Sequence, residues 1–378
     1  MRGKLIFWIL CLPALAMASD LEVTPPENHR QSSLIADIRI RETLDFCGEP
    51  VPLEIGEVRE RLEKELLLTL NNGPQIILWM KRAARYLPYI EAQLVQRGLP
   101  GDLKFVPFIE SALLPHIGSP AGAIGYWQFM RSTGRRYGLT INSEYDERRS
   151  IFKSTPAALT YFQELYEEFH SWTLAAAAYN MGEEGLRSEI LLQEVNDYYR
   201  LYLPLETQRY VFRILAAKLV LQNPERYGFR LEAQDLYNPH AFDKVQVVCL
   251  QRTPILLIAT AAGATFKQIK DLNPDVRGHH LAPGTHELLV PKGTAEGFEA
   301  RFHQALNNWQ ENPDKHHYTV RSGDNLSAIA ERFEVPLPAL LIWNNLSSRQ
   351  TIHPGDRLII YKQVAETGEI DSDNGSAE

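Results

Sequence analysis

The chain is short of cysteine, of long apolar runs and of surplus positive charge. Three cysteines in 378 residues exclude a disulfide-rich scaffold, which needs several bridges in place of a large core. Lys and Arg total 39 against 47 Asp and Glu, a net charge of -8. That balance argues against nucleic acid as the main partner, because duplex binding rests on cations that neutralise phosphates. No segment beyond the first eighteen residues could span a bilayer, which takes about 20 apolar residues. No His/Cys cluster has metal-ligand spacing; His279-His280 and His316-His317 are adjacent pairs whose side chains would diverge. The remaining composition, 44% apolar and 23% charged, is that of ordinary globular protein, with length for two or three domains.

Residues 1–18 read as an export signal. Arg2 and Lys4 give a positive start, Leu5 to Leu12 a short apolar run, and Ala16-Met17-Ala18 a cleavage pattern. The alternative is an uncleaved anchor. Cys11 lies inside the apolar run rather than at a cleavage point, so a lipoprotein signal is not expected. The expected location is the periplasm or cell envelope. Cleavage leaves Cys47 and Cys249, expected as lone thiols, with a disulfide the lesser alternative.

Residues 19–54 form a polar, proline-bearing lead-in, expected to be loosely ordered. Leu62, Leu66 and Leu70 then repeat every four residues, and a second stripe of Ile77, Met80, Ala84 and Leu87 follows Pro74 and runs to Gly98. Further helices are expected at 103–113, 155–170, 172–181 and 205–222. Strand-like alternation is scarce before residue 240, so 55–232 reads as one mostly helical domain. Beyond it, an offset of 71 aligns Ala259, Ile269, Asn273, Pro283-Gly284 and Leu288 with Ala330, Leu340, Asn344, Pro354-Gly355 and Ile359, which predicts a repeat. The copies fall at 243–292 and 316–362, joined by a linker at 293–315. The acidic tail 363–378 lacks large apolar residues and is expected to be disordered.

Three segments of the helical domain carry chemistry. Phe105-Val-Pro-Phe-Ile-Glu110-Ser111 puts a carboxylate at the end of an apolar helix. Apolar walls disfavour its charged form and raise its pKa, as a general acid requires. Taken alone, a Glu at a helix end is usually just solvated. Next comes a glycine-rich loop, Gly118-Ser119-Pro120 to Gly125-Tyr126-Trp127-Gln128-Phe129-Met130. Tyr126 and Trp127 offer flat faces to a sugar ring, or else are core aromatics. Finally Ala175-Ala-Ala-Ala178-Tyr179-Asn180 makes a slim helix that delivers two polar groups at its end.

In this order and spacing, Glu110-Ser111, Gly125-x-x-Gln128-Phe129 and Ala178-Tyr179-Asn180 resemble the soluble lytic transglycosylase domain, a goose-lysozyme-like fold. Ser119-Pro120 and Tyr145-Asp146-x-Arg148-Arg149 extend the likeness, which covers about residues 98–190. The resemblance implies that Glu110 is the catalytic residue. It places Ser111, Ser119, Gln128 and Met130 against the sugar. Tyr179 would orient acid and substrate, with Asn180 supporting the same wall. Trp127 stands where Met or Leu is common, and Met181 where Ser or Ala is common. Residues 317–362, with Gly323-Asp324-Asn325-Leu326, Asn344-Asn345-Leu346 and Pro354-Gly355-Asp356, resemble a LysM module, a βααβ fold that binds N-acetylglucosamine-containing glycan. Asp324 is read as the cap of its first helix, over Leu326, Ile329 and Phe333. The copy at 243–292 resembles a worn LysM and is read as structural. The fold class is therefore α+β: a mostly helical lysozyme-like domain followed by small βααβ modules. The whole order resembles the membrane-bound lytic murein transglycosylase D group. The lipid-anchor cysteine of some members is missing, which leaves peripheral membrane association open.

The resemblance implies cleavage between N-acetylmuramic acid and N-acetylglucosamine, with the muramic acid 6-hydroxyl closing a 1,6-anhydro ring. No cofactor and no metal are called for, and no protein partner is evident. The motifs supply one carboxylate where most glycosidases use two. Glu144, Asp146, Glu183 and Glu184 lie nearby in polar stretches and are read as solvated. The alternatives are a non-catalytic peptidoglycan-binding protein and a hydrolytic muramidase.

Overall fold

A computed structural model describes residues 35–40, 43–310 and 315–361. The expected signal at 1–18 and tail at 363–378 lie outside these residues. The helical domain opens on Gly56–Asn71 (α1) and Gly73–Arg97 (α2). Asn72 separates them and accepts a hydrogen bond from the Gln75 amide, with Pro74 in the first turn, where its missing N–H costs nothing. Val58, Leu62 and Leu66 of α1 are buried against Leu205–Gln222 (α8).

The segment expected as one helix at 103–113 is two pieces. A 3-10 turn at Gly101–Phe105 leads into the short helix Val106–Ser111 (α3). Pro107 therefore stands in a first turn rather than breaking a helix. Arg131–Arg136 (α4) and Glu183–Gln193 (α7) are helices that the apolar periodicity did not announce.

Ile151–Phe169 (α5) begins four residues earlier than its Thr155-Pro156 start signal suggested. Pro156 inside it cannot donate to the carbonyl of Phe152, and the Tyr89 hydroxyl does so instead, at 2.9 Å. Trp172–Met181 (α6) runs through the middle of the domain. Ala175 to Ala178 are fully buried, which lets α5 and α8 approach it closely.

The lead-in is ordered over 43–54. A two-residue strand pair, Asp45–Phe46 (β1) with Glu49–Pro50 (β2), lies there, and Leu44, Phe46, Val51 and Leu53 are buried in the domain core. Glu49 accepts from the Trp172 amide at 2.5 Å and the Thr173 amide at 3.1 Å. Its carboxylate thus caps the positive end of α6, an interaction 123 positions long that no local pattern announces. Cys47 and Cys249 are both free thiols.

Two small units follow. In the first, Phe242–Cys249 (β3) pairs antiparallel with Gly284–Pro291 (β6) around the helices Ile255–Ala261 (α9) and Phe266–Leu272 (α10). A second strand pair, Thr253–Pro254 (β4) with His280–Leu281 (β5), joins the loops of this unit. In the second, Lys315–Thr319 (β7) pairs with Arg357–Tyr361 (β8) around Leu326–Arg332 (α12) and Leu337–Asn344 (α13).

The same side-chain device fastens both. Asn273 donates to the Leu289 carbonyl at 2.7 Å and accepts from the Leu289 amide at 2.8 Å. Asn344 does the same with Ile359, at 2.7 and 2.6 Å. The equivalence shows that the repeat slips by one residue after the Pro-Gly turn. Buried Leu288 matches buried Leu358, not Ile359, because shifting a strand by one residue exchanges its faces.

Two further expectations change. Asn325, not Asp324, caps α12 by accepting from the Ala328 amide at 2.8 Å. Asp324 instead accepts from the Tyr318 hydroxyl and the Arg321 amide. The stretch 293–315, expected as a linker, holds the helix Phe298–Gln310 (α11). Phe298, Phe302 and Ala305 are buried in the core of the first unit, so most of that stretch is part of the unit.

Candidate active site

Glu110 sits in the last turn of α3, and the helix stops at once because Ala112 and Leu113 take left-handed backbone, at φ 53° and 58°. Arg82 donates to the Ala112 carbonyl at 3.0 Å and Arg213 to the Ile109 carbonyl at 3.1 Å, so the carbonyls around the acid are held. The half-buried carboxylate accepts a hydrogen bond from the Tyr210 hydroxyl of α8. Burial pushes the carboxyl up to about 7 from an ordinary value of 4.5. The Tyr210 bond and the Arg213 charge pull it down, and the Glu206 carboxylate pushes it further up.

Glu110 opens into a cleft of about 540 Å³. Ser119, Gln128, Met130, Tyr179 and Asn180 also line it, so the fold brings together all but one of the expected site residues. The exception is Ser111, which is buried. Its hydroxyl lies 2.8 Å from the Tyr126 carbonyl and 3.2 Å from that of Pro107, joining α3 to the loop instead of facing a ligand. Tyr126 and Trp127 are core residues, at 3% and 0% exposure. The Trp127 indole donates to Thr155 at 3.0 Å. A ring ending in a donor satisfies that donor inside when buried, so neither aromatic offers a stacking face.

The other expected residues hold the cleft's shape as well as facing it. Gln128 has left-handed backbone, at φ 48°, and its amide nitrogen donates to the Ile117 and Gly125 carbonyls at 3.0 and 2.8 Å. Among the described residues its Oε1 is left to serve a ligand. The Ser119 hydroxyl accepts from the Ala123 amide at 3.1 Å. Tyr179 stacks on Phe162, with ring centroids 4.3 Å apart, and donates to the Trp127 carbonyl at 2.6 Å. Burial and then the neighbouring Glu110 push the Tyr179 hydroxyl well up. Tyr210, rather than Tyr179, bonds to Glu110. Asn180 accepts from Thr207 at 2.8 Å.

The loop 117–130 is pinned from beneath by Arg148, which is 1% exposed. Its guanidinium makes a two-pronged pair with Asp146, at 2.7 and 2.8 Å, and donates to the Gly122 and Phe129 carbonyls, both at 3.0 Å. Gly125 lies against the Arg148 backbone, where a Cβ would meet the carbonyl oxygen at 1.9 Å. Only glycine fits there. Asp146 is therefore not a solvated carboxylate.

Two more carboxylates line the cleft, Glu183 and Glu206. Glu183, read as solvated from the sequence, accepts from Tyr161 at 2.7 Å and Arg136 at 2.5 Å. Burial alone would raise its carboxyl, but these donors outweigh burial and hold it at about 2. Glu144 pairs with Arg252 at 3.5 Å and Glu184 with Arg187 at 2.7 Å. Sequence reading missed Tyr210 and Glu206. The available signal was their spacing of four on one helix, which puts both side chains on one face.

A carboxyl pushed up to about 7 by burial, in a cleft also lined by Ser119, Gln128 and Asn180, is a group that can serve as a general acid. The Transglycosylase SLT domain family matches residues 88–200 and the LysM domain family residues 318–360. The membrane-bound lytic murein transglycosylase D of Escherichia coli is 34% identical over 331 residues, 83% of this chain and 72% of that one. The chain belongs to the membrane-bound lytic murein transglycosylase D family. It is a peptidoglycan lytic transglycosylase, with an α+β fold of a mostly helical domain and small α+β modules. Two solved structures overlap it in part. An inactive mutant of the lytic transglycosylase Slt from Pseudomonas aeruginosa is 19% identical over 40% of this chain, with a TM-score of 0.27. The 70 kDa soluble lytic transglycosylase of Escherichia coli is 18% identical over 47%, with a TM-score of 0.33. The chain spans 26% and 33% of those two chains.

Proposed function

We propose that Glu110 is the one acid and base of a reaction that cuts the β-1,4 bond between N-acetylmuramic acid and N-acetylglucosamine and leaves a 1,6-anhydro-N-acetylmuramic acid end. The observation that carries this reading is the Glu110 carboxyl, raised to about 7 by burial and fixed by Tyr210. Near neutral pH such a group can give a proton and take one back. It protonates the bridging oxygen, and the glycosidic bond breaks toward an oxocarbenium-like centre. The 6-hydroxyl of the same sugar attacks that centre, and ionised Glu110 accepts its proton. Intramolecular attack needs little external help, since well-placed groups reach effective molarities of about 10⁵ M or more. Ser119, Gln128, Met130 and Asn180 hold the sugars, and Tyr179 fixes the wall behind them.

Glu183 is a poor candidate for activating water. Its proton is lost at about 2, and both oxygens already accept donors. The hydrolytic alternative has one observation in its favour, the exposed carboxylate of Glu206 on the same cleft.

The second βααβ unit binds glycan in this reading. A groove of about 290 Å³ lies between Asp324 to Ser327 on one side and Ser348 to Ile352 on the other. We place the enzyme in the cell envelope, exported by residues 1–18, where its substrate lies. Among the described residues no helix is long and apolar enough to cross a membrane.

The test is loss of turbidity of purified peptidoglycan by the full chain and by Glu110→Gln. The amide keeps the shape and loses the proton, so cutting should fall by about 10²-fold or more while wall binding persists. Activity within about tenfold of the parent would remove Glu110 from the role.

A further inference from the structure

The first βααβ unit pairs as strand the positions that line the groove of the second. Thr253 and Leu281 pair as strand neighbours, at the positions where Asp324 and Ile352 line the groove of the second unit. Phe266 stacks on His279, with centroids 5.5 Å apart, and Lys270 caps the carbonyls of Val276 and Gly278.

The same unit is instead fastened to the catalytic domain along one seam. The Asp146 amide donates to the Asp275 carbonyl at 2.8 Å, and the Arg277 amide to the Glu144 carbonyl at 2.7 Å. Lys153 bridges Asp275 and Glu147, at 2.8 Å to each. The Tyr145 hydroxyl lies 2.8 Å from His286 Nδ1, and Phe152 meets Phe242 edge to face at 5.1 Å. Asp275 is 5% exposed.

This seam holds the residue that orients Arg148. The backbone of Asp146 is tied to Asp275, its carboxylate grips Arg148, and Arg148 in turn holds the carbonyls of Gly122 and Phe129. The cleft residues Ser119, Gln128 and Met130 ride on that loop. We propose that the 243–292 unit is a fixed wall of the catalytic domain rather than a glycan reader, and that the side chains of Asp275 and His286, through the Lys153–Glu147 pair and Tyr145 that flank Asp146, are positioning residues that set the glycan cleft through Asp146 and Arg148. The activity arm of the test rests on the function proposed above, whereas the exchange arm needs no turnover.

The test compares full-length parent, the double variant Asp275→Asn/His286→Ala, and Val290→Ala. Val290 is fully buried in the unit's own core, so its truncation weakens the unit without touching the seam. Amide hydrogen exchange over 117–130 should rise about tenfold in the seam variant and stay at the parent rate in Val290→Ala. KM for a soluble glycan fragment should rise about threefold or more in the seam variant, with the pH dependence of kcat unchanged, since only the positioning of substrate is altered. Parent-like exchange over 117–130 in the seam variant would overturn the proposal. So would an equal rise in Val290→Ala, because it would mean that any loosening of the unit does the same. If the parent shows no turnover, the function fails while the exchange result still decides the coupling.

Discussion

The Tyr210 hydroxyl donates directly to the Glu110 carboxylate across 100 positions of sequence. The bond favours the ionised form and opposes the burial that raises the group. A general acid works only while protonated, so kcat/KM should fall as pH rises through about 7. Removing the bond in Tyr210→Phe should move that descending limb to higher pH. Activity should also fall roughly tenfold, the scale of one hydrogen bond to a charged group. A limb that stays or moves down would separate Tyr210 from the acid.

Glu206 acts in the opposite sense. Its charge disfavours ionised Glu110, so Glu206→Gln should move the same limb to lower pH. Measuring both variants in one buffer series gives a signed pair of shifts. Two shifts of the same sign would contradict the account of how the acid is tuned.

Arg148 and Asp146 form a nearly dry ion pair, at 1% and 3% side-chain exposure. Arg148→Met leaves the carboxylate buried without its partner, which should cost about 3–5 kcal/mol in denaturant unfolding. Burial alone would raise the Asp146 carboxyl, but Arg148 outweighs burial and holds it below its ordinary 3.8. The pair's contribution is therefore present above pH 3.8 and lost as pH falls through the depressed value. The gap between parent and variant should narrow only in strong acid. A cost under about 1 kcal/mol at neutral pH would place the pair with exposed ion pairs.

Much of this architecture was legible in the sequence because its signals are local. Leu62, Leu66 and the four alanines from Ala175 announce the faces they bury, and Asn273 and Asn344 mark the repeat. The acid was legible for the same reason, as one carboxylate in an apolar run. What escaped reading depends on partners far along the chain. Glu49 caps a helix 123 positions away. Tyr210 meets Glu110 only because α8 crosses α3. Glu183 looks like a surface residue until Arg136 and Tyr161 arrive beside it. The family resemblance puts Ser111 against the sugar, yet neighbours on a helix point to different sides, and here its hydroxyl turns to the Tyr126 carbonyl.

Deleting 316–378 should weaken retention on insoluble cell wall while leaving turnover of short soluble glycan within about twofold of the parent. A tethered binding module raises the local concentration of substrate without touching the chemistry. Sedimentation with purified wall measures this, and unchanged retention would rule out the module as the wall anchor.

In the proposed reaction the muramic acid's own 6-hydroxyl, not water, replaces the leaving oxygen on its first carbon. Mass analysis of fragments released from purified peptidoglycan tests it most directly, with and without borohydride treatment. The account predicts muropeptides lighter by one water than the hydrolytic products and untouched by borohydride, because the 6-hydroxyl has closed on the first carbon of the muramic acid. Reducible ends as the main product would contradict it. They would leave Glu110 as the acid and point to Glu206, on the same cleft, as the base that activates water.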